Sequence, residues 1–398
     1  MTVPFLIITL LMAICNIPSV YTCVSVLFTF KKRRPYPSAA PKTRFAVVIP
    51  ARNEEGVIAN IIGALNRQDY PRELFDIHVI LNNCADSTGE IARSLGAKTY
   101  TCTGKITRKG DALHEGIAHL RPMGYDAYAV FDADNIPDPA FLRRMNDAMR
   151  AGERVCKGRL KGGNPTDSWV AGGYAIYHSL LEWCYSRPHS AMGFSSNLVG
   201  TGFAVHSEVI EKLGGWNTVT ICEDTELLAQ AAILGYRVAW VYEALSYDEQ
   251  VADLGVSMRQ RLRWTRGMVE VARRYTGRLL SKDCPKKGVA RDLVALFAVS
   301  HTAPMSMPLM LIAFCLQPPM MKLLSLLSLP ASYIGLALAA WFFAWLGGYD
   351  LKKIRKAILM FPIFMLTWMP LQFFGLFIPV KEWPPVKHYG QADVSVNK

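Results

Sequence analysis

Apolar side chains run almost unbroken near both ends of this chain and alternate with polar ones in its middle. Residues 1–30 carry no charged side chain and stop at Lys31, Lys32, Arg33 and Arg34. A run of that length spans a bilayer as a helix, and a basic stop marks its cytoplasmic end. A cleaved signal peptide is the competing reading, but the start lacks a basic n-region and the run is long for an h-region. Three further apolar stretches, at about 293–316, 323–347 and 357–380, are each long enough to cross.

Between these ends the period changes. Residues 45–49 form a short β-prone run, and over 54–66 Val57, Ile58, Ile61, Ile62 and Leu65 recur with helical spacing. The same strand-then-helix pattern returns at 77–81 and 87–95, at 98–101 and 109–120, and at 127–131 and 139–149. Such alternation predicts an α/β fold with a mainly parallel, doubly wound sheet. The expected organisation is a transmembrane helix at 1–30, a basic linker at 31–43 and one cytosolic domain at 44–275. A membrane region with about three apolar segments follows at 276–380, then a polar tail at 381–398.

A hydrophobic content of 51% over 398 residues fits an integral membrane protein. The net charge of +12 raises nucleic acid as a partner, but much of it flanks the apolar segments, at 31–44 and 259–291. There it complements an anionic cytoplasmic leaflet, and no interleaved aromatic and basic surface points to nucleic acid. Nine cysteines without a CxxC pair give neither a zinc pattern nor a disulfide framework. No GxGxxG opens the first helix and no GxxxxGK[ST] occurs, which argues against a dinucleotide enzyme and a P-loop ATPase.

Open α/β sheets bind ligands beyond the carboxyl ends of their strands. Those positions hold Pro50-Ala51-Arg52-Asn53-Glu54, Asn82-Asn83-Cys84 and Asp132-Ala133-Asp134. Asp132 and Asp134, two apart in an extended chain, project from one face and suit Mg²⁺ or Mn²⁺; a plain turn is the alternative. Glu223 and Asp224 follow Gly200-Thr201-Gly202-Phe203 and open a helical run, where acids serve either as a cap or as a general base. In QRLRW, Gln260, Arg263 and Trp264 share a helix face, grouping an amide, a diphosphate-binding fork and a flat ring. An interfacial helix with snorkelling arginines reads the same way.

The ordered set PARNEE, LNNCADST, RKGDAL, DADN, GTGF, CED and QRLRW resembles the membrane-bound family-2 glycosyltransferases, a group that includes cellulose, chitin and hyaluronan synthases. The resemblance covers about 44–270. It implies a GT-A domain flanked by transmembrane helices and inverting transfer from a UDP-sugar to a growing polysaccharide. A single transfer to a lipid is the alternative, and a non-catalytic transporter or scaffold is the rival from another class. By position, Pro50, Arg52, Glu54 and Asn82 would contact the nucleotide, and Lys109 its phosphates. Asp132 and Asp134 would hold the metal, with Asp224 as base. Gln260, Arg263 and Trp264 would close the site, Arg263 on the pyrophosphate and Trp264 beside the acceptor. The family usually has Asp where this chain has Asn82; an amide still pairs with uracil, as both donor and acceptor. A multi-pass cell-membrane location with a cytoplasmic catalytic domain is expected. Ser300, His301, Thr302, Ser306 and Gln372, with Trp341, Trp345 and Trp368, are candidates to line a saccharide path. Four segments enclose only a slender channel, which leaves room for a homo-oligomer.

Overall fold

The computed structural model describes residues 3–31 and 34–378. Lys32 and Arg33 of the basic stop, and the tail expected at 381–398, lie outside the described residues.

Eight strands form one sheet: β1 (Phe45–Ala51), β2 (Phe75–Leu81), β3 (Lys98–Thr101), β4 (Ala127–Val130), β5 (Asn135–Pro137), β6 (Val155–Gly162), β7 (Phe203–His206) and β8 (Val238–Asp248). Their order is β3-β2-β1-β4-β7-β6-β8-β5. Only β7 and β5 run against the rest, β7 against β4 and β6 and β5 against β8. The sheet is thus mainly parallel, and the carboxyl ends of β1, β2, β4, β6 and β8 meet at one edge. Helices cover both faces, which is why every residue of β1 is buried. Ile61, Phe141 and Met145 pack one face; Leu113, Ile117 and Leu228 pack the other.

Two boundaries depart from the sequence expectation for local reasons. Strand β1 continues through Pro50 and Ala51, because its pairing with β4 ends at Val48 and the missing Pro50 N–H removes no bond on that side. The first helix starts at Ile58 and not at Glu54. The Glu54 and Glu55 amides instead donate to Thr88 Oγ1 and Asp86 Oδ2, tying the β1 loop to the β2 loop.

A larger departure is the segment between β6 and β7. It carries helix Trp169–Leu181, opened by Ser168 accepting from the Val170 and Ala171 amides, and continues through Glu182–Ser186 to Arg187–Met192. This helix joins the sheet domain to the apolar region: Tyr174 and Ile176 pack with Ala344, Phe361 and Phe364. The approach is close, since a Cβ on Gly172 would lie 2.5 Å from the Ala357 Cβ.

Asp253 caps helix Leu254–Leu279, which carries QRLRW. Lys287–Leu316 and Pro319–Leu346 follow, then Arg355–Leu366 and Trp368–Gly375. Among the described residues, four stretches are long and apolar enough to cross a membrane: Val3–Phe30, Lys287–Leu316, Pro319–Leu346 and Arg355–Gly375. The N-terminal helix is fastened to Lys287–Leu316 by Asn16 Nδ2 donating to Ser306 Oγ at 2.9 Å and Tyr21 donating to Asp292 at 2.6 Å.

Candidate active site

At the carboxyl edge of the sheet lies a cavity of about 460 Å³. Pro50, Arg52 and Glu54 enter it from the β1 loop, Lys109 from the start of helix Lys109–Leu120, and Asp132 and Asp134 from the β4 loop. Asp224 reaches it from the first turn of helix Glu223–Ile233, and Gln260, Arg263 and Trp264 from helix Leu254–Leu279. All the residues assigned from the sequence to donor, metal, base or closure of the site therefore line one cavity except Asn82. Asn82 is buried at the end of β2, its carbonyl accepting from Asn83 Nδ2 at 3.1 Å and its own Nδ2 without a partner.

Lys109 is the centre of the charged cluster. Its ammonium lies 2.6 Å from Asp132 and 3.2 Å from Glu223 and donates to the Gly200 carbonyl at 2.7 Å. Burial alone would lower its pKa, but the two carboxylates outweigh that and raise it. Glu223 is pushed up to about 7, chiefly by burial. The Gly200 amide donates to Asp224 Oδ2 at 2.5 Å, so the short GTGF turn aims this carboxylate as well as anchoring Lys109. Gly200 and Gly202 have φ of 51° and 64°, a region that side chains disfavour.

A second layer, not foreseen from the sequence, supports this edge. Thr201 Oγ1 accepts from the Asp132 amide at 2.9 Å and donates to Asn135 Oδ1. Asn135 in turn donates to Asp248, at the end of β8, and Gln250 donates to the other Asp248 oxygen, both at 2.6 Å. Burial raises Asp248 to about 7. Lys157 of β6, itself buried, donates to the Val199 and Thr201 carbonyls. The rule about strand carboxyl ends would have found Asp248 and Gln250 had β8 been recognised. Lys157 gave no signal, because its neighbours come from distant strands.

The residues present fit a divalent cation. Asp132 already faces a cation, the Lys109 ammonium, and Asp134 lines the same cavity. Among the described residues no group of three or more His, Cys, Asp or Glu forms a ready cage. A hard ion held by these two carboxylates would complete its shell with waters and phosphate oxygens.

The remaining wall is of another character. Helix Trp169–Leu181 contributes Tyr177, His178 and Leu181; Lys287–Leu316 contributes Leu296, Val299 and Ser300; Trp368–Gly375 contributes Trp368 and Gln372. Of the candidates for a saccharide path, Ser300, Trp368 and Gln372 reach this cavity. The Ser300 and Thr302 hydroxyls donate to carbonyls of their own helix, His301 Nδ1 also engages Phe297 O, and Ser306 accepts from Asn16. Trp341 and Trp345 are exposed on the outer face of their helix.

Residues 41–267, more than half of the chain, match the family model "Glycosyltransferase like family 2". The chain belongs to that glycosyltransferase family. The probable glycosyltransferase YdaM of Bacillus subtilis is 30% identical over 64% of this glycosyltransferase and 61% of the relative. The β-monoglucosyldiacylglycerol synthase of Trichormus variabilis is 24% identical over 73% and 63%, and glucomannan 4-β-mannosyltransferase 7 of Arabidopsis thaliana 25% over 60% and 45%. The glycosyltransferase thus spans less than two thirds of the length of these curated relatives. A solved mannosyltransferase from Pyrobaculum calidifontis, in complex with GDP-mannose and Mn²⁺, superposes with a TM-score of 0.66 at 18% identity, covering 89% of this chain and 98% of that one. The fold is GT-A, and the protein is an enzyme.

Proposed function

We propose that this glycosyltransferase moves one sugar, with inversion, from a UDP-sugar to the hydroxyl of a membrane lipid. The observation that carries this reading is the continuity of one cavity from the Asp132–Asp134 edge to the apolar wall of Leu296, Val299 and Trp368. One helix in that wall, Lys287–Leu316, is long and apolar enough to cross a membrane, and Trp368–Gly375 is the end of a second apolar stretch, Arg355–Gly375. A lipid acceptor enters such a site sideways from the leaflet with its apolar part still in contact with apolar side chains. The relatives include a β-monoglucosyldiacylglycerol synthase, which fits the same reading.

The nucleotide lies against Pro50, Arg52 and Glu54, while Asn82, buried at the end of β2, stands behind them and not on the cavity. Lys109 and Arg263 face its phosphates, and Asp132 and Asp134 hold Mg²⁺ or Mn²⁺. A divalent ion there supplies Lewis-acid stabilisation of the diphosphate. Asp224 takes the proton of the acceptor hydroxyl as its oxygen bonds to the anomeric carbon. The bond from that carbon to the phosphate oxygen breaks, and its electron pair leaves with the diphosphate, where Arg263 meets the growing charge. Gln260 and Trp264 close the acceptor side.

Chain extension is the second reading. The aromatic series Trp264, Trp368 and Tyr177, all on the cavity, favours it, with ring centroids 5.3–6.4 Å apart between neighbours and rings of a kind that stacks on sugars. Incubating the purified protein with UDP-glucose, UDP-galactose, UDP-N-acetylglucosamine and GDP-mannose, with and without diacylglycerol, separates the two. A lipid bearing one sugar is expected from a UDP donor; a polymer formed without lipid would overturn the reading.

A further inference from the structure

On the face of β6 turned away from the catalytic cavity, three basic side chains share one carboxylate. Leu160 lines the cavity, so Arg159 and Lys161, one residue to either side of it in the strand, project from the opposite face. Arg159 Nε donates to Glu182 at 2.7 Å, and Arg187 Nε lies 3.5 Å from the other Glu182 oxygen. Lys161 is half-buried, with its ammonium 5.6 Å from the Tyr349 ring centroid, and among the described residues no carboxylate stands within ion-pair distance of it. Burial, and secondarily the Arg159 charge, lowers the Lys161 pKa to about 8; burial also lowers Arg187, against the opposing Glu182 charge. Three cations around one anion leave an excess of positive charge, which a further anion would neutralise.

Two independent contacts put this cluster at the ends of candidate spans. A Cβ on Gly348, just past the end of Pro319–Leu346, would lie 3.7 Å from Lys161 Nζ. The Arg187 guanidinium stacks 3.6 Å from the Trp183 ring centroid, and the Trp183 carbonyl accepts from Thr29 Oγ1, in the last turn of Val3–Phe30, at 2.6 Å. The layer just beyond the hydrocarbon is where lipid phosphates lie, and where Trp, Tyr, Lys and Arg gather. Arg187 carries the fork that suits a phosphate, Lys161 an ammonium without a partner, and both are only partly covered.

We propose that Arg159, Lys161 and Arg187 form a site for the phosphate of an anionic phospholipid, outside the catalytic cavity and between the ends of two spans. It rests on the reading of Val3–Phe30 and Pro319–Leu346 as spans, and not on the identity of the acceptor. The test follows the thermal midpoint of the full chain in detergent micelles as phosphatidylglycerol, phosphatidylcholine or soluble glycerol 1-phosphate is added. Phosphatidylglycerol is expected to raise the midpoint, and the other two to leave it in place. The double variant Lys161→Gln, Arg187→Gln should need about tenfold or more phosphatidylglycerol for the same rise, whereas Lys161→Arg with Arg187→Lys, which keeps both charges, should respond nearly as the wild type does. Should the glutamine pair not fold, Lys161→Gln alone, which breaks no internal hydrogen bond, should need about fivefold more. An equal rise with phosphatidylcholine, or one that the glutamine variants keep in full, would overturn the site. An equal rise with glycerol 1-phosphate would overturn the lipid as its occupant. Release of the chain from membranes by alkaline carbonate would overturn the spans themselves, and is read without any lipid titration.

Discussion

At the scale of single residues, the site depends on acids whose neighbours differ. Glu223 and Asp224 are adjacent in sequence, yet Glu223 is buried against Lys109 while Asp224 is held by the Gly200 amide and faces the cavity. If Asp224, the acid aimed by the Gly200 amide, is the base proposed above, Asp224→Asn should reduce transfer by ~10²–10⁴-fold. The donor KM should stay near the wild-type value, and steady-state kinetics with the donor varied would show otherwise if Asp224 served the donor. Asp132 and Asp134 add two charges to a cavity that must also accept a diphosphate, and like charges at such distances repel strongly. Chelation should therefore abolish turnover, and Mg²⁺ or Mn²⁺ should restore it; full turnover in excess chelator would remove both as metal ligands. These acids were legible in the sequence because they stand in order after strands or at a helix start. Lys157, Asn135 and Thr201 were not, because their partners lie 42 to 113 residues away and only the folded sheet brings them together.

At the scale of elements, strands β1 to β4 followed from period alone, whereas helix Trp169–Leu181 did not. It packs on β6 and also on helices Pro319–Leu346 and Arg355–Leu366, so apolar and small residues recur without a clear polar face. The motif QRLRW was legible for the face bearing Gln260, Arg263 and Trp264, but the residue between them carries a different load. Arg261 is fully buried, donates to Phe364 O at 3.3 Å, and has its guanidinium 4.6 Å from the Phe364 ring centroid and 5.2 Å from that of Trp368. The chain opens there because Pro370 has no N–H to offer the Leu366 carbonyl, and Thr367 breaks the helix into Arg355–Leu366 and Trp368–Gly375. Arg261 thus holds the break in a form that turns Trp368 and Gln372 to the cavity. Arg261→Ala would leave a hole beneath Trp368, with an expected loss of ~2–5 kcal/mol. A lower thermal midpoint in detergent together with a raised acceptor KM would show both effects; an unaltered acceptor KM would confine Arg261 to stability.

Whole-molecule behaviour should show in the response to acid. Burial lowers His78 to about 4, as it does His178, and the Tyr125 hydroxyl donates to Asp76 at 2.7 Å, so His78 Nε2–H donates to the phenol oxygen at 2.8 Å. Both folded values lie below the unfolded one near 6.5, so between pH 6.5 and 4 the unfolded chain binds more protons. Stability contributed by these rings is complete above pH 6.5 and is lost as pH falls toward 4, on the order of 3 kcal/mol for each. The thermal midpoint should fall over this interval, and His78→Gln should flatten the fall; equal slopes in the two proteins would exclude His78.

The arrangement of the apolar helices around the catalytic domain leads to a topology that hydrophobicity alone left open. Three of the four candidate spans have 6–11% of their most apolar window buried within the protein, but Arg355–Gly375 has 39%. One of its faces packs on helices Trp169–Leu181 and Leu254–Leu279, while Leu359, Leu366 and Phe374 remain exposed on the other. We propose that this helix, with one face on the catalytic domain and one apolar face outward, lies along the membrane surface. The turn before it is anchored too, since the Gly162 amide donates to the Tyr349 hydroxyl at 3.1 Å. Tyr349 must then stand on the same side of the membrane as the sheet. Val3–Phe30, Lys287–Leu316 and Pro319–Leu346 would cross, and Arg355–Gly375 would not. In a variant without native cysteines, a single cysteine replacing Gln317 should react with a membrane-impermeant maleimide from the outside, and one replacing Asp350 only after permeabilisation. Labelling of position 350 from outside in intact cells would place that turn, and with it the catalytic domain, on the external face.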